Sequence, residues 1–409
     1  MKKVLNIEMW MLLVIVLLTA CSDHSGESSD ENGDCFLNIY VYAPGRPMLT
    51  RADVGEIAHR EIAESTVHTL QIWVFNHRDG SLVGYLEAEP TFLNETDGQE
   101  MFQMKVKKEF ADHPENVDVY VVANVESVGL TLDKETTRDE LDAAKIGVGS
   151  FGVKQKEGTE NVYIPAVSSV PTAGLPMSGI EKDQPIYGSF PALRIGSQDK
   201  MTTVQLTRAV SKLRFVLCRI ADGDSKELVS IDEIQLNGEM IPTESYLMPV
   251  ANPSYTTIGY VSSPINYGSV VGNTIPTVED PMKYAYETQA AQDYEDMINE
   301  AIAGTYKAAE SDQPLKELGL TYLRESDKQL TGTIQYSVQP KGNTDETKVD
   351  HTPSVTFSMA SPGDFYRNRS WIIYVFYMDA KIHVLTVTDM GVKSWTSDNI
   401  NDDKSVYNW

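Results

Sequence analysis

Cys35-Phe36-Leu37-Asn38-Ile39-Tyr40-Val41-Tyr42-Ala43-Pro44-Gly45 is the stretch from which the fold class can be read. Its residues are β-branched, aromatic or aliphatic. In an extended chain side chains alternate between faces, so Leu37, Ile39 and Val41 share one face of a strand. The strand is expected to end near Ala43, because Pro44-Gly45 is a turn signal and Pro47 has no N–H to give to a ladder. Immediately upstream the character changes. Ser22 to Asp34 carries Asp23, Glu27, Asp30, Glu31 and Asp34 among serines and glycines, with no apolar residue. Such a stretch cannot bury enough surface to offset the ordering of its backbone, so it reads as a flexible tether.

Further upstream, Lys2 and Lys3 precede an apolar run, Met9 to Ala20, that is short for a bilayer span and ends in Leu18-Thr19-Ala20-Cys21. A basic start, a short apolar core and small residues before a cut describe a secretory signal peptide. A cysteine directly after the cut is the bacterial lipoprotein arrangement, in which the Cys21 thiol takes a diacylglycerol. Several acyl chains anchor stably where one is marginal. The acidic tether behind that cysteine resembles the surface-export signal of Bacteroidia lipoproteins. Downstream of the strand, Met48-Leu49-Thr50 leads to Arg51-Ala52. An arginine in a loop past a strand is well placed for a trypsin-like, arginine-specific protease, whereas Pro47 hinders cleavage after Arg46. Taken alone, Arg51 is also compatible with a merely solvated side chain.

A net charge of −25 argues against nucleic acid or anionic lipid as partner, and a start at Ala52 leaves that acidity nearly unchanged. The length suffices for two domains with sizeable cores. Only Cys21, Cys35 and Cys218 occur, which excludes a disulfide-rich framework. Cys35 and Cys218 are free to pair, although Cys218 lies in an apolar, strand-like run that suits a buried thiol.

The rest of the chain reads mostly as strands. Leu70, Ile72 and Val74 alternate with Gln71 and Trp73, and Asn76 to Gly80 supplies a turn before Leu82 to Leu86. Phe102, Met104 and Val106 alternate with polar residues, as in a half-buried strand. Val117 to Val125 is nearly continuously apolar, as in a central one. Thr136 to Ala144 reads as one short helix, and Gly147 to Lys200, dense in Gly, Pro and Ser, as a loop-rich region. Strands resume with Thr203 to Ile220, Ile231 to Leu236, Thr331 to Gln339, Ser354 to Met359, Trp371 to Met378 and Ile382 to Val387. Many short strands with few helices mean all-β sandwiches, with a boundary near Lys200. A helical insertion is expected in the second, where Tyr294, Ile298, Ile302 and Tyr306 fall at four-residue spacing.

No motif argues for an enzyme or a cofactor. Gly147-Val148-Gly149-Ser150-Phe151-Gly152 has the letters of a dinucleotide fingerprint, but a helical segment precedes it where a strand is needed, and a polar stretch follows where a helix is needed. The seven histidines are scattered without a metal-ligand spacing. Asp222-Gly223-Asp224 reads as a strand-end turn rather than a calcium site.

Several strings carry a resemblance: the lipobox, the strand up to Ala43 and Arg51-Ala52; Val119-Tyr120-Val121-Val122-Ala123-Asn124; Leu175-Pro176-Met177-Ser178-Gly179; Leu206-Thr207-Arg208-Ala209-Val210-Ser211-Lys212; Tyr366-Arg367-Asn368; Val392-Lys393-Ser394-Trp395; and Val406-Tyr407-Asn408-Trp409. In this order, across nearly the whole chain, they resemble the Bacteroidia-type (type V) fimbrillins. The stretch Asp398 to Lys404, polar apart from Ile400, and the helical insertion around Glu287 to Glu310 depart from that pattern. The resemblance implies two tandem transthyretin-like β-sandwich domains, residues 52–200 and 201–409. They follow a lipoprotein signal peptide (1–21) and a tether with a removable strand (22–51). It implies an outer-membrane lipoprotein precursor, cleavage between Arg51 and Ala52, and polymerisation into a cell-surface fimbrium by exchange of donor strands with other fimbrial subunits. Val406, Tyr407 and Trp409 would form the C-terminal donor. A tip or anchor subunit of the same fibre, or a surface glycan-binding lipoprotein displaying Trp73, Trp371, Trp395 or Trp409, are the other readings.

Overall fold

The computed structural model describes residues 35–42 and, with short gaps, 63–250, followed by 265–266, 277–278, 316–339, 354–358, 365–378 and 381–389. Cys21 and the tether 22–34, Arg51 and Ala52, residues 148–152, Asp222 to Asp224, the segment 287–310, Val392 to Trp395, and Val406, Tyr407 and Trp409 lie outside the described residues. The described elements belong to one compact unit that begins at Cys35.

The chain is all-β. Two five-stranded sheets occupy its first half. In the first sheet, β1 (Cys35–Tyr42) lies between β4 (Gln99–Val106) on one side and β12 (Ala192–Ile195) and β13 (Thr203–Gln205) on the other, with β11 (Ile186–Ser189) beyond β12. The second sheet runs β3 (Leu82–Ala88), β2 (Leu70–Asn76), β5 (Val117–Ala123), β10 (Met177–Gln184), β14 (Thr207–Arg208). The apolar faces of both contribute to one core. β4 keeps the expected alternation, with Phe102, Met104 and Val106 buried. β5 is buried at every position, as a continuous apolar run predicts. So is β2, polar letters included, because its second face is also covered: Trp73 Nε1 donates to Asp133 O (2.9 Å) and Gln71 Nε2 to Leu132 O (2.8 Å). The expected helix, α1 (Arg138–Ala143), begins at Thr137 with a reciprocal capping box to Glu140, which satisfies two orphan backbone donors.

Gly147 to Lys200 corrects the loop-rich expectation. It holds β7 (Val153–Glu157) and β8 (Glu160–Ile164), a paired hairpin, then β9 (Ala166–Val167), and β10 to β12. Some of its glycines serve strands rather than interrupt them. A Cβ on Gly179, within β10, would sit 2.5 Å from Gln205 O, so glycine is what lets two layers touch there. Thr203 to Ile220 is likewise three strands rather than one: β13, β14 and β15 (Val210–Ile220), each in a different sheet. The breaks fall at Leu206 and Ala209, both buried, whose N–H groups make the last bonds to the partners of the preceding strands, Tyr42 O (2.9 Å) and Pro176 O (2.8 Å).

In the second half, β15 lies between β20 (Lys316–Arg324), antiparallel, and β23 (Ser370–Met378), parallel, with β24 (Lys381–Asp389) beyond β23 and β9 beyond β20. A further sheet runs β18 (Ile265–Asn266), β16 (Leu228–Leu236), β21 (Thr331–Gln339), β22 (Ser354–Ser358), and β19 (Thr277–Val278) pairs with the end of β15. β20 was not anticipated, since Gly319 and charged Lys316 and Glu317 blur its alternation. Among the described residues, ladders cross from one half to the other where β9 lies on β20 and where β17 (Glu244–Tyr246) lies on β6 (Lys145–Gly147). Cys35 is a buried free thiol, so it makes no disulfide with Cys218.

Candidate functional site: the first strand and the groove it fills

The strand read first from the sequence occupies an interior position in its sheet. Along its whole length β1 is antiparallel to β4, from Cys35 opposite Val106 to Tyr42 opposite Gln99. Its other edge is shared. Phe36 to Asn38 run parallel to Ala192–Arg194, and Tyr40 to Tyr42 parallel to Thr203–Gln205. Phe36 N donates to Pro191 O (2.9 Å) at one end, and Tyr42 O accepts from Leu206 N (2.9 Å) at the other. Inward-facing Cys35, Leu37, Ile39 and Val41 are each no more than 1% exposed, while Phe36, Asn38, Tyr40 and Tyr42 are half-buried on the opposite face. Burial pushes the Cys35 thiol up in pKa, which keeps it protonated. Among the described residues, the one side-chain hydrogen bond of β1 is a long one, Gln103 Nε2 to Asn38 Oδ1 at 3.5 Å. Ladder and aliphatic packing hold this strand.

The two flanks of β1 are pinned to the facing sheet. A Cβ on Gly84 of β3 would lie 2.3 Å from Met104 Sδ of β4. One on Gly179 of β10 would lie 2.8 Å from Val204 Cγ1 of β13 and 2.5 Å from the adjoining Gln205 O. The layers therefore meet at glycine-limited spacing on both sides of the strand.

From residue 63 onward, past Arg51 in the sequence, the chain is held in a different way. Glu64, 2% exposed, accepts from Lys212 Nζ at 2.9 Å and from the Tyr322 hydroxyl. Arg208 donates from Nε to Glu64 O (2.8 Å), from Nη2 to Ser65 Oγ (2.6 Å) and from Nη1 to Asn368 Oδ1 (2.9 Å). Nearby, Arg367 pairs with Glu325 (2.5 Å) and donates to Tyr246 O (2.6 Å) and Leu247 O (2.8 Å), while Ser178 Oγ also reaches Leu247 O. Asn124, in the left-handed region at φ 58°, accepts from His68 N (2.8 Å) and donates to Thr66 O and Leu175 O (both 2.9 Å). Four strings noted in the sequence, ending at Asn124, Gly179, Lys212 and Asn368, thus interlock at one junction. Arg208 and Lys212 bring buried charge there, in a segment whose buried apolar residues are Leu206, Ala209, Val210 and Leu213. The partner Glu64 lies in a stretch with no pattern of its own.

Among the described residues no group of acidic, histidine or cysteine side chains could hold a metal ion, and no helix is long and apolar enough to cross a membrane. Trp73 and Trp371 are buried, 0% and 2% exposed, and present no aromatic platform.

No family model matches the chain, and no curated protein matches it. Solved structures do. A cell-adhesion candidate from Parabacteroides distasonis ATCC 8503 is 15% identical, with 88% of this chain and 98% of that one covered and a TM-score of 0.48. The tip fimbrial protein Mfa3 from Porphyromonas gingivalis is 14% identical over 87% of this chain and 99% of its own, with a TM-score of 0.43. The fimbrial anchor protein Mfa2 from the same organism is 8% identical over 87% and 98%, with a TM-score of 0.33.

Proposed function

We propose that this protein is a structural subunit of a cell-surface fimbrium, exported as a lipoprotein on Cys21, cut between Arg51 and Ala52, and polymerised by strand exchange. The observation that carries the reading is the position of β1: an interior strand, paired on both edges, with Arg51 in the sequence that joins it to the rest of the chain. Cutting there severs the covalent link between a strand held by ladder and aliphatic contacts and a body held by buried charge. Once β1 leaves, unpaired N–H and C=O groups of β4, β12 and β13 border an apolar floor, which is a template for another strand. The lipid departs with the discarded peptide, so a single cut both releases and activates the subunit. Val406, Tyr407 and Trp409 form the chain's own donor.

Two substitutions test this. Arg51→Ala should leave a lipidated precursor that forms no high-mass ladder on gels without boiling; ladders of ordinary length from that variant would exclude cleavage as the trigger. Cys21→Ala should abolish acyl labelling and surface delivery, and normal labelling would remove the lipoprotein step.

A further inference from the structure

The shape of the groove specifies its occupant more narrowly than strand exchange alone requires. Four inward positions are filled by a thiol and three aliphatic chains, Cys35, Leu37, Ile39 and Val41, each fully enclosed. Leu37 is bracketed by Met104 and Leu193, Ile39 faces Phe102, and Val41 is bracketed by Glu100 and Val204. The two sheets cannot part to admit something larger without breaking the contacts of Gly84 with Met104 and of Gly179 with Val204 and Gln205 O. Rings in these pockets would overpack a core already at contact distance. The outward positions are different. Phe36, Asn38, Tyr40 and Tyr42 are half-buried and of mixed character, so aromatic and polar side chains are tolerated there.

The C-terminal stretch does not carry that pattern. With Tyr407 and Trp409 turned inward, the four alternate positions are Asp403, Ser405, Tyr407 and Trp409. Turned outward, the inward set becomes Asp402, Lys404, Val406 and Asn408. Sliding the register towards Asp398 does not help, because each set of four alternate positions from Asp398 to Trp409 contains at least one aspartate. An unpaired carboxylate in an apolar pocket is far costlier than the ladder it would complete.

Resting on the strand-exchange reading above, we infer that the groove beneath β1 accepts a partner's strand with small or aliphatic side chains at four alternate positions. Residues 398–409 of a second copy of this chain do not fill it. The strand that fills this face therefore comes from a segment other than residues 398–409, and the aromatic stretch 406–409 serves an acceptor with wider pockets than this one.

Peptide exchange on the full chain, cut at Arg51 with a trypsin-like protease, tests this. The probes are synthetic peptides of residues 35–42, of the same residues with Leu37→Trp, and of residues 398–409, each competing against fluorescent 35–42 peptide. The 35–42 peptide should exchange. The Leu37→Trp peptide should compete at least about tenfold more weakly, which is the effect of about 1.4 kcal/mol of overpacking. The 398–409 peptide should not compete even at about a hundredfold excess. Competition by 398–409 within a few-fold of 35–42 overturns the exclusion of that stretch while leaving strand exchange intact. Failure of 35–42 itself to exchange overturns strand exchange, and this inference with it.

Discussion

Two segments lie on either side of Arg51 in the sequence, and they are attached to the same body by opposite kinds of bonding. Upstream, β1 is held by main-chain hydrogen bonds and by Cys35, Leu37, Ile39 and Val41, with one long side-chain hydrogen bond among the described residues. Downstream, Glu64 and Ser65 are held by side-chain charge: Lys212, Tyr322 and Arg208, all inside the protein. A ladder with aliphatic packing is generic, and any strand of matching pattern restores it. A buried ion pair with tailored hydrogen bonds is specific, because no replacement segment satisfies the same charges. The first arrangement would suit a piece that is exchanged, and the second a chain start that stays docked after the proposed cut.

The contrast is tested most severely at Glu64. Glu64→Ala leaves the Lys212 ammonium buried without its carboxylate and strips Tyr322 of an acceptor, so it should cost about 3–5 kcal/mol in urea unfolding. That loss should be equal in the uncut and the cut protein. A cost below about 1 kcal/mol would mean that the junction is no firmer than a surface ion pair, and the distinction between the two segments would fall.

Leu37→Ala should behave in the complementary way. In the uncut chain it empties a fully enclosed site and should cost about 2–5 kcal/mol. After cleavage and departure of the strand the same substitution should change nothing, because the residue has left. Persistence of the defect in the polymerised, cleaved protein would show that β1 remains in place.

Gly179→Ala and Gly84→Ala sharpen the description of the groove. At Gly179 the added methyl meets the main-chain oxygen of Gln205, which cannot swing aside; at Gly84 it meets the end of Met104, a flexible side chain. Gly179→Ala should therefore cost about 1–3 kcal/mol, and Gly84→Ala clearly less, by thermal or urea unfolding. Equal costs would indicate that the two layers are free to adjust beside β13.

The strand itself was legible from the sequence because alternation, β-branching and a Pro-Gly stop coincide at Cys35–Gly45. Its interior position was not, since pairing with Ala192–Arg194 and Thr203–Gln205 is long-range, and the first of these segments looks like loop. Gly179 illustrates why: composition counts a glycine as a breaker, whereas here close approach of Gln205 requires one inside a strand. The breaks at Leu206 and Ala209 were hidden for the opposite reason, because apolar residues that change sheets look the same as those that continue a strand. At the junction, Arg208 and Lys212 sit beside Thr207 and Ser211, so nothing local marks them as buried, and the counter-charge of Lys212 comes from Glu64, 148 residues away. No local pattern reports a pairing of that separation.

The smallest expected effect concerns acid, and it again separates the strand from the body. β1 carries no carboxylate, so its own grip is indifferent to mild acid. The body carries Asp118, 2% exposed in its side chain, at the start of β5. Desolvation pushes its pKa upward, but hydrogen bonds from Asp183 N (2.9 Å), His77 Nδ1 (2.6 Å) and Arg138 Nη1 (3.1 Å) outweigh that and hold the carboxyl below its ordinary value. A depressed folded-state pKa contributes stability that is complete above the unfolded value, about 3.9, and is lost as pH falls through the folded one. Besides these three donors, Asp183 and the Tyr120 ring on the same strand face the cluster, and Asp183 Oδ1 lies 3.8 Å from His77 Nε2. Stability of the cut protein should therefore fall on acidification below about pH 4, and Asp118→Asn should flatten that slope while lowering stability at neutral pH. Affinity of the 35–42 peptide for the groove, measured down to about pH 5, should stay level in both proteins. A peptide affinity that falls with acid in parallel with stability would show that strand and body are one electrostatic unit after all.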